Sequence, residues 1–219
     1  MPSPLNVALI GQRFMGRAHS NAWSQAGKFF ELELQPRLHT VAGRDAAGLA
    51  AFAARWGWSK WSTDWRSIAS DAEVGLVDVS TPNDVHLEPA LAMLEARKHV
   101  ACEKPLAGTL ADARTMAEAA KKAAKKGVKS FVWFNYRRCP AVALAHQLMR
   151  EGVLGRIYHV RAHYLQSWGG PDTSLSWRFQ KKLAGSGAHG DLNAHVVDMA
   201  RFLVGEELTD IHGAIARTF

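Results

Sequence analysis

Apolar residues in the first 135 positions follow two alternating rhythms. Short β-type runs are separated by helix-length amphipathic segments, which predicts a parallel sheet with crossover helices. LNVALIG (5–11) predicts a buried strand that stops at a glycine, and FMGRAHSNAWSQAG (14–27) follows at helical spacing. HTVAGR (39–44) predicts the second strand, and AAGLAAFAARWG (46–57) an alanine-rich helix stopped by Gly57. VGLVDVST (74–81) predicts a further strand, with Asn83 placed to cap the helix through HLEPALAMLEARK. HVACEKP (99–105) returns as a strand, TLADARTMAEAAKKAAKKG forms a helix capped by Thr109, and KSFVWFNY (129–136) completes the series.

Beyond residue 135 the rhythm changes. A helix (140–151) runs to Gly152, and GRIYHVRAHYLQSW (155–168) is a long β run with no helix directly behind it, as an antiparallel sheet requires. After a loop with Gly169, Gly170 and Pro171, AHGDLNAHVVDMARFLVG (188–205) predicts a helix and LTDIHGAIARTF (208–219) a last strand. The expected fold class is an α/β, Rossmann-like parallel-sheet domain over 1–135. It is followed over 136–219 by an incomplete α+β domain with an open, mostly antiparallel sheet. Two strands and a helix cannot cover both faces and both edges of a sheet, so further C-terminal sequence is expected.

Charge and composition narrow the classes. Lys and Arg total 27 against 20 Asp and Glu, a formal charge of +7, but five of the lysines lie in one stretch, AKKAAKKGVK. Lys121, Lys122, Lys125, Lys126 and Lys129 read as the solvated C-terminal end of a helix stopped by Gly127, and without an RNA motif or recognition helix no nucleic-acid partner is expected. No apolar run approaches the ~20 residues of a membrane span, and MPSPLNVALIG lacks the pattern of a signal peptide, so no membrane partner and a cytoplasmic location are expected. Cys102 and Cys139 form no C-x-x-C pair, so reduced thiols and no structural zinc are expected.

Four segments carry candidate chemistry. G-Q-R-F-M-G (Gly11, Gln12, Arg13, Phe14, Met15, Gly16) lies between a strand and a helix, where backbone N–H groups can hold a pyrophosphate. Arg13 stands where the dinucleotide fingerprint has its middle glycine, so its guanidinium is left to contact the phosphate directly. At the tip of the second strand, Gly43-Arg44 leaves space and charge for the 2′-phosphate of NADP, while the adjacent Asp45 keeps NAD open; the balance leans slightly to NADP.

S-T-P-N-D-V-H (80–86) and C-E-K-P-L (102–106) each end a predicted strand, where ligands of open α/β sheets bind. Glu-Lys-Pro there puts the Lys104 ammonium in the crevice, able to hold a substrate hydroxyl or transfer a proton. In H-G-D-L-N-A-H-V-V-D, Asp191 and His195 are four apart and share a helix face, as an acid/base pair or as a cap beside a packed core histidine. His189, Asp191 and His195 lack an H-E-x-x-H pattern or a cysteine companion, so no metal site is expected.

In this order the segments resemble the glucose-fructose oxidoreductase / inositol dehydrogenase family, often written Gfo/Idh/MocA, over the whole chain. GQRFMGRAHSNAW looks like that family's phosphate loop and first helix, STPNDVH its cofactor turn and CEKPL its lysine motif. Through FNYRRCPAVAL, YLQSW and LSWRFQKKLAGSGAHGD the likeness is strongest to levoglucosan-dehydrogenase-like members. The resemblance implies that Lys104, Asp191 and His195 are catalytic, with Lys104 on the substrate oxygen and His195 as general base. It implies that Thr81, Pro82, Asn83, His86 and Glu103, with Lys104, line the cofactor, and that Tyr136, Arg137, Trp168 and Arg178 approach the sugar.

The activity implied is NAD(P)-dependent hydride transfer between a secondary hydroxyl of a cyclic sugar, anhydrosugar or inositol and the nicotinamide, giving a keto-sugar, in a homo-oligomer when full length. A non-enzymatic NAD(P)-binding sensor and NAD-assisted glycoside cleavage are the alternatives. Asn193 departs from the glycine many members carry in D-x-G-x-H, and the chain is shorter than a complete two-domain enzyme.

Overall fold

The first half of the chain folds into strands β1 (Ser3–Ile10), β2 (Leu34–Ala42), β3 (Lys60–Ser62), β4 (Leu76–Val79), β5 (His99–Cys102) and β6 (Ser130–Val132). All are parallel, in the order β3-β2-β1-β4-β5-β6. Helices α1 (Phe14–Phe29), α2 (Ala46–Trp56), α3 (Arg66–Ser70), α4 (Leu87–Glu95) and α5 (Leu110–Ala124) supply the connections. This computed structural model describes residues 3–167, 169–170, 172–174 and 176–213, and the chain divides into two units, Met1–Trp133 and Phe134–Phe219.

Alternate residues of a strand face opposite ways, so the uninterrupted VALI of β1 serves two cores. Val7 and Leu9 pack with Leu49, Phe52 and Trp58 on one face, while Ala8 and Ile10 join Val77, Val79, Met93 and Met116 on the other. The strand order turns at β1, which pairs with β2 on one side and β4 on the other. Chain leaves β1 and β4 in opposite directions along the sheet, which in sheets of this order opens a crevice beyond their carboxyl ends.

Local signals set the helix ends. Asp45 accepts from Gly48 N to cap α2, Gly57 closes it at φ 79°, and Thr109 accepts from Asp112 N to cap α5. The lysine run behaves as a solvated helix end, with all five lysines exposed. Asn83 does not cap α4: it is buried at the start of a separate turn, Asn83–Val85, and α4 begins after His86 without a side-chain cap. The short β3 and α3 interrupt a stretch for which the hydrophobic pattern offers no element.

The second unit contains α6 (Pro140–Arg150), α7 (Lys181–Ala184) and α8 (Ala194–Val204), the last entered through a π-wound turn at His189–Asn193 and closed by Gly205 at φ 78°. The predicted β run 155–168 carries no strand over its described residues 155–167, and 208–213 carries none either. The open antiparallel sheet is therefore absent among the described residues. A β pattern becomes a strand only with a ladder partner. The described residues of this unit offer 155–167 none, and Tyr158 and Leu165 are 84% and 86% exposed. Trp168, Pro171 and 214–219 lie outside the described residues.

Candidate active site

The crevice beyond β1 and β4 is built around two glycines. Gly11 sits at φ 125°, donates its N–H to Ala42 O at 2.9 Å, and approaches Ser80 so closely that a Cβ would lie 2.6 Å from Ser80 Oγ. Gly16, buried in the first turn of α1, faces Gly11 O, which a Cβ would meet at 2.3 Å. The α1 N-cap, Arg13, is exposed, makes no capping bond, and the first turn has no acidic residue, so its N–H groups remain available to an anion. Phe14 is 68% exposed and Met15 half-buried.

Two polar atoms in these loops, Gln12 Oε1 and Thr81 Oγ1, are buried without a hydrogen-bond partner among the described residues. Buried orphans cost free energy unless a ligand or water meets them. With the open N–H groups of α1 they fit a dinucleotide at this crevice. Replacing Gly16 with valine is expected to weaken NADH binding at least about tenfold and to cost about 1–3 kcal/mol of stability, because backbone must move; calorimetric titration and a thermal melt check both.

At the tip of β2, Arg44 is exposed and Asp45 is engaged in capping α2. In the turn after β4, Pro82 is exposed, Thr81 half-buried and Asn83 buried. His86 is fully buried, with Nδ1 3.1 Å from Leu106 O and Nε2 2.8 Å from Thr81 O, so it joins the two loops and presents no atom at the surface. Lys104, half-buried, directly follows β5 and the buried Glu103, whose Oε2 accepts the Lys104 N–H at 3.0 Å.

Glu103 belongs to a buried cluster that the motif reading did not find. His19 of α1 places Nδ1 2.9 Å from Asp78 Oδ2 and Nε2 3.0 Å from Glu103 Oε1. Trp23 Nε1 and Trp133 Nε1 donate to the same Asp78 carboxylate at 2.7 and 2.9 Å. Burial opposes a charge on His19, but the hydrogen bonds to Asp78 and Glu103 and their negative charges outweigh it and push its pKa up to about 9. The signals lay in the histidine three places after Gly16 and the lone aspartate within VGLVDVS.

In the second unit His195 is buried among aromatic rings. Centroid distances are 4.6 Å to Tyr136, 5.9 Å to Tyr164 and 6.1 Å to Phe134. The Tyr136 and Tyr164 hydroxyls are 2.5 Å apart, and that bond, then burial, pushes the Tyr136 phenol up to about 12. Tyr164 was not among the expected site residues, although YLQSW contained it. Asp191 lies on the π-wound turn rather than on a regular α-helix, and its Oδ2 is 3.3 Å from Arg178 Nε. Such turns are frequent at functional sites. Arg137 is committed to the buried Asp198, with Nε donating to Oδ2 at 2.8 Å and a second bond to Oδ1.

Two other clusters lie elsewhere. Ligating atoms of His39, Asp71 and Glu73 come within 4.8 Å of one another, but the Lys60 ammonium, 3.0 Å from Glu73, already supplies positive charge there. A cavity of about 580 Å³ lined by Trp23, Lys28, Arg37 and Trp56 touches the Gln35–Leu38 part of β2. That is not the carboxyl end of the strand, where open α/β sheets bind ligands. No helix among the described residues is long and apolar enough to cross a membrane.

Comparison with known proteins agrees with this geometry. The oxidoreductase family with an NAD-binding Rossmann fold, GFO_IDH_MocA, matches residues 5–131, and the GFO/IDH/MocA C-terminal domain matches residues 142–219. A levoglucosan dehydrogenase of Pseudarthrobacter phenanthrenivorans is 49% identical over 204 residues, 92% of this chain and 52% of that protein. A 1,5-anhydro-D-fructose reductase of Ensifer adhaerens is 36% identical over 163 residues, 72% of this chain and 46% of that protein. Among solved structures, an oxidoreductase domain protein from Kribbella flavida superposes with a TM-score of 0.90 at 53% identity, covering 94% of this chain and 53% of that one. A levoglucosan dehydrogenase in complex with NADH and levoglucosan superposes with a TM-score of 0.88 at 47% identity, covering 93% and 55%. The chain spans about half the length of these relatives.

Proposed function

The chain belongs to the GFO/IDH/MocA oxidoreductase family, and on that footing we propose that it serves a nicotinamide-dependent dehydrogenase. The reaction oxidises a secondary hydroxyl of a cyclic sugar, with an anhydrosugar such as levoglucosan the first substrate to try. The observation that carries this reading is the crevice itself: glycine cradle, open helix N-terminus and orphaned Gln12 and Thr81 atoms, with Lys104 at the end of β5.

Gly11, Gly16 and the first turn of α1 would hold the dinucleotide's phosphates, with Gln12 and Thr81 as polar contacts. When bound, the nicotinamide supplies a hydride acceptor for the ring carbon. Lys104 Nζ donates a hydrogen bond to the substrate oxygen and stabilises negative charge that builds on it. A ring nitrogen of His195 takes the hydroxyl proton, and Asp191 favours the cationic imidazole that results. The aromatic frame of Tyr136, Tyr164 and Phe134 fixes the His195 ring, and Arg178 fixes Asp191.

The levoglucosan-dehydrogenase relative solved with NADH supports NAD(H) as cofactor. Arg44, exposed and with Asp45 engaged elsewhere, supports additional room for a 2′-phosphate. Arg44→Ala is expected to weaken NADPH binding about tenfold, the loss of one charge-assisted contact, and to leave NADH affinity nearly unchanged; two calorimetric titrations compare them. The proposed activity is tested by adding levoglucosan to the protein with NAD⁺ and following NADH absorbance. Cofactor binding without sugar-dependent reduction would favour a non-enzymatic nucleotide binder instead.

A further inference from the structure

His19 lies outside the reaction proposed above, yet its position is unusual. It sits on α1, one turn after the Gly16 that forms the phosphate cradle, and it reaches two carboxylates from two other elements. Asp78 comes from β4 and is wholly buried, and Glu103 is the residue that directly follows β5 and precedes Lys104. Glu103 then spends its second oxygen on the Lys104 N–H at 3.0 Å. A continuous set of contacts thus runs from the nucleotide helix to the lysine loop.

We infer that His19 is a positioning residue: doubly held between Asp78 and Glu103, it locks the Lys104 loop to the helix that cradles the dinucleotide. The inference rests on the reading of Lys104 as catalytic only for its consequence in turnover; the lock itself stands on the contacts. The lock depends on a proton. Two carboxylates at the two ring nitrogens are both satisfied only by the imidazolium, because neutral imidazole has one N–H and one bare nitrogen. Losing the proton sets that bare nitrogen against a carboxylate oxygen, and one contact must open.

Asp78 and Glu103 are the charged groups that contact the His19 ring, the Trp133 ring lies edge-on at 5.3 Å, and Trp23 donates to Asp78 beside it. The nearby Cys102 thiol is kept protonated by burial and by those two carboxylates.

Amide hydrogen exchange of the native chain, read at Lys104 and at the Leu9 amide of β1, tests the lock without any need for activity. In the native protein the Lys104 protection factor is expected to fall as pH rises through about 9, with Leu9 unaffected. In His19→Ala it is expected to be lower by at least about tenfold at neutral pH and to show no such step. His19→Gln, which keeps one N–H donor, is expected to lie between the two, and serves if His19→Ala does not fold. Unchanged Lys104 protection in both variants, or a His19 ring that titrates by NMR at its ordinary 6.5, would overturn the inference. NADH formation measured in parallel separates the two ideas. Lost Lys104 protection with unaltered turnover would remove Lys104 from the chemistry and leave the lock standing, whereas unchanged protection removes the lock whatever the turnover.

Discussion

Replacing Lys104 with methionine is expected to lower kcat for sugar-dependent NAD⁺ reduction by a factor on the order of 10²–10⁴, while NADH affinity stays within a few-fold. Methionine keeps most of the stem's bulk, and the backbone N–H that Glu103 accepts is unchanged, so the loop retains its anchor. What disappears is the ammonium, the group proposed above to donate to a developing alkoxide. Electrostatic contacts that strengthen with charge in the transition state affect kcat rather than cofactor binding. Steady-state kinetics with calorimetric NADH titration separates the two. Equal losses in kcat and in NADH affinity would instead mark Lys104 as a cofactor-binding residue, and unchanged kcat would reject its role.

The second large effect concerns stability. Asp78→Ala is expected to destabilise the protein by on the order of 3–5 kcal/mol, the usual consequence of removing one partner from a buried charged pair. The alanine would deprive His19 Nδ1 and the indole N–H groups of Trp23 and Trp133 of the one carboxylate that all three use, leaving His19 with Glu103 alone. Burial of these groups is tolerable only because each is paired. Urea unfolding followed by tryptophan emission, to which Trp23 and Trp133 contribute, measures the loss.

The same cluster fixes a pH dependence. Since folding raises the His19 pKa from 6.5 to about 9, its stabilising contribution is full below pH 6.5, declines above it, and is gone beyond about pH 9. The full contribution is on the order of 3 kcal/mol. Asp78→Ala should flatten this part of the stability profile.

The pattern of residues made the first unit legible and the second only partly so. Strands buried on both faces show as apolar runs, and caps such as Asp45 and Thr109 are short-range signals, so β1, α2 and α5 emerge from the chain alone. Segment 155–167 has the alternation of a strand, but strand formation depends on a neighbour that its own residues do not encode.

The crevice was legible because glycine spacing and strand ends are local. The His19 cluster was not, because α1, β4 and the loop after β5 contribute one residue each across separations of 59 and 84 positions. The π-wound turn at Asp191 likewise left no mark in a spacing that also suits an α-helix.

Levoglucosan carrying deuterium at its hydroxyl-bearing ring carbons tests the central claim, that this site moves a hydride from a sugar carbon to the nicotinamide. The account predicts deuterium in the reduced cofactor and a primary kinetic isotope effect on its formation. Reduced cofactor free of the label, or no reduction with both ligands bound, would contradict it.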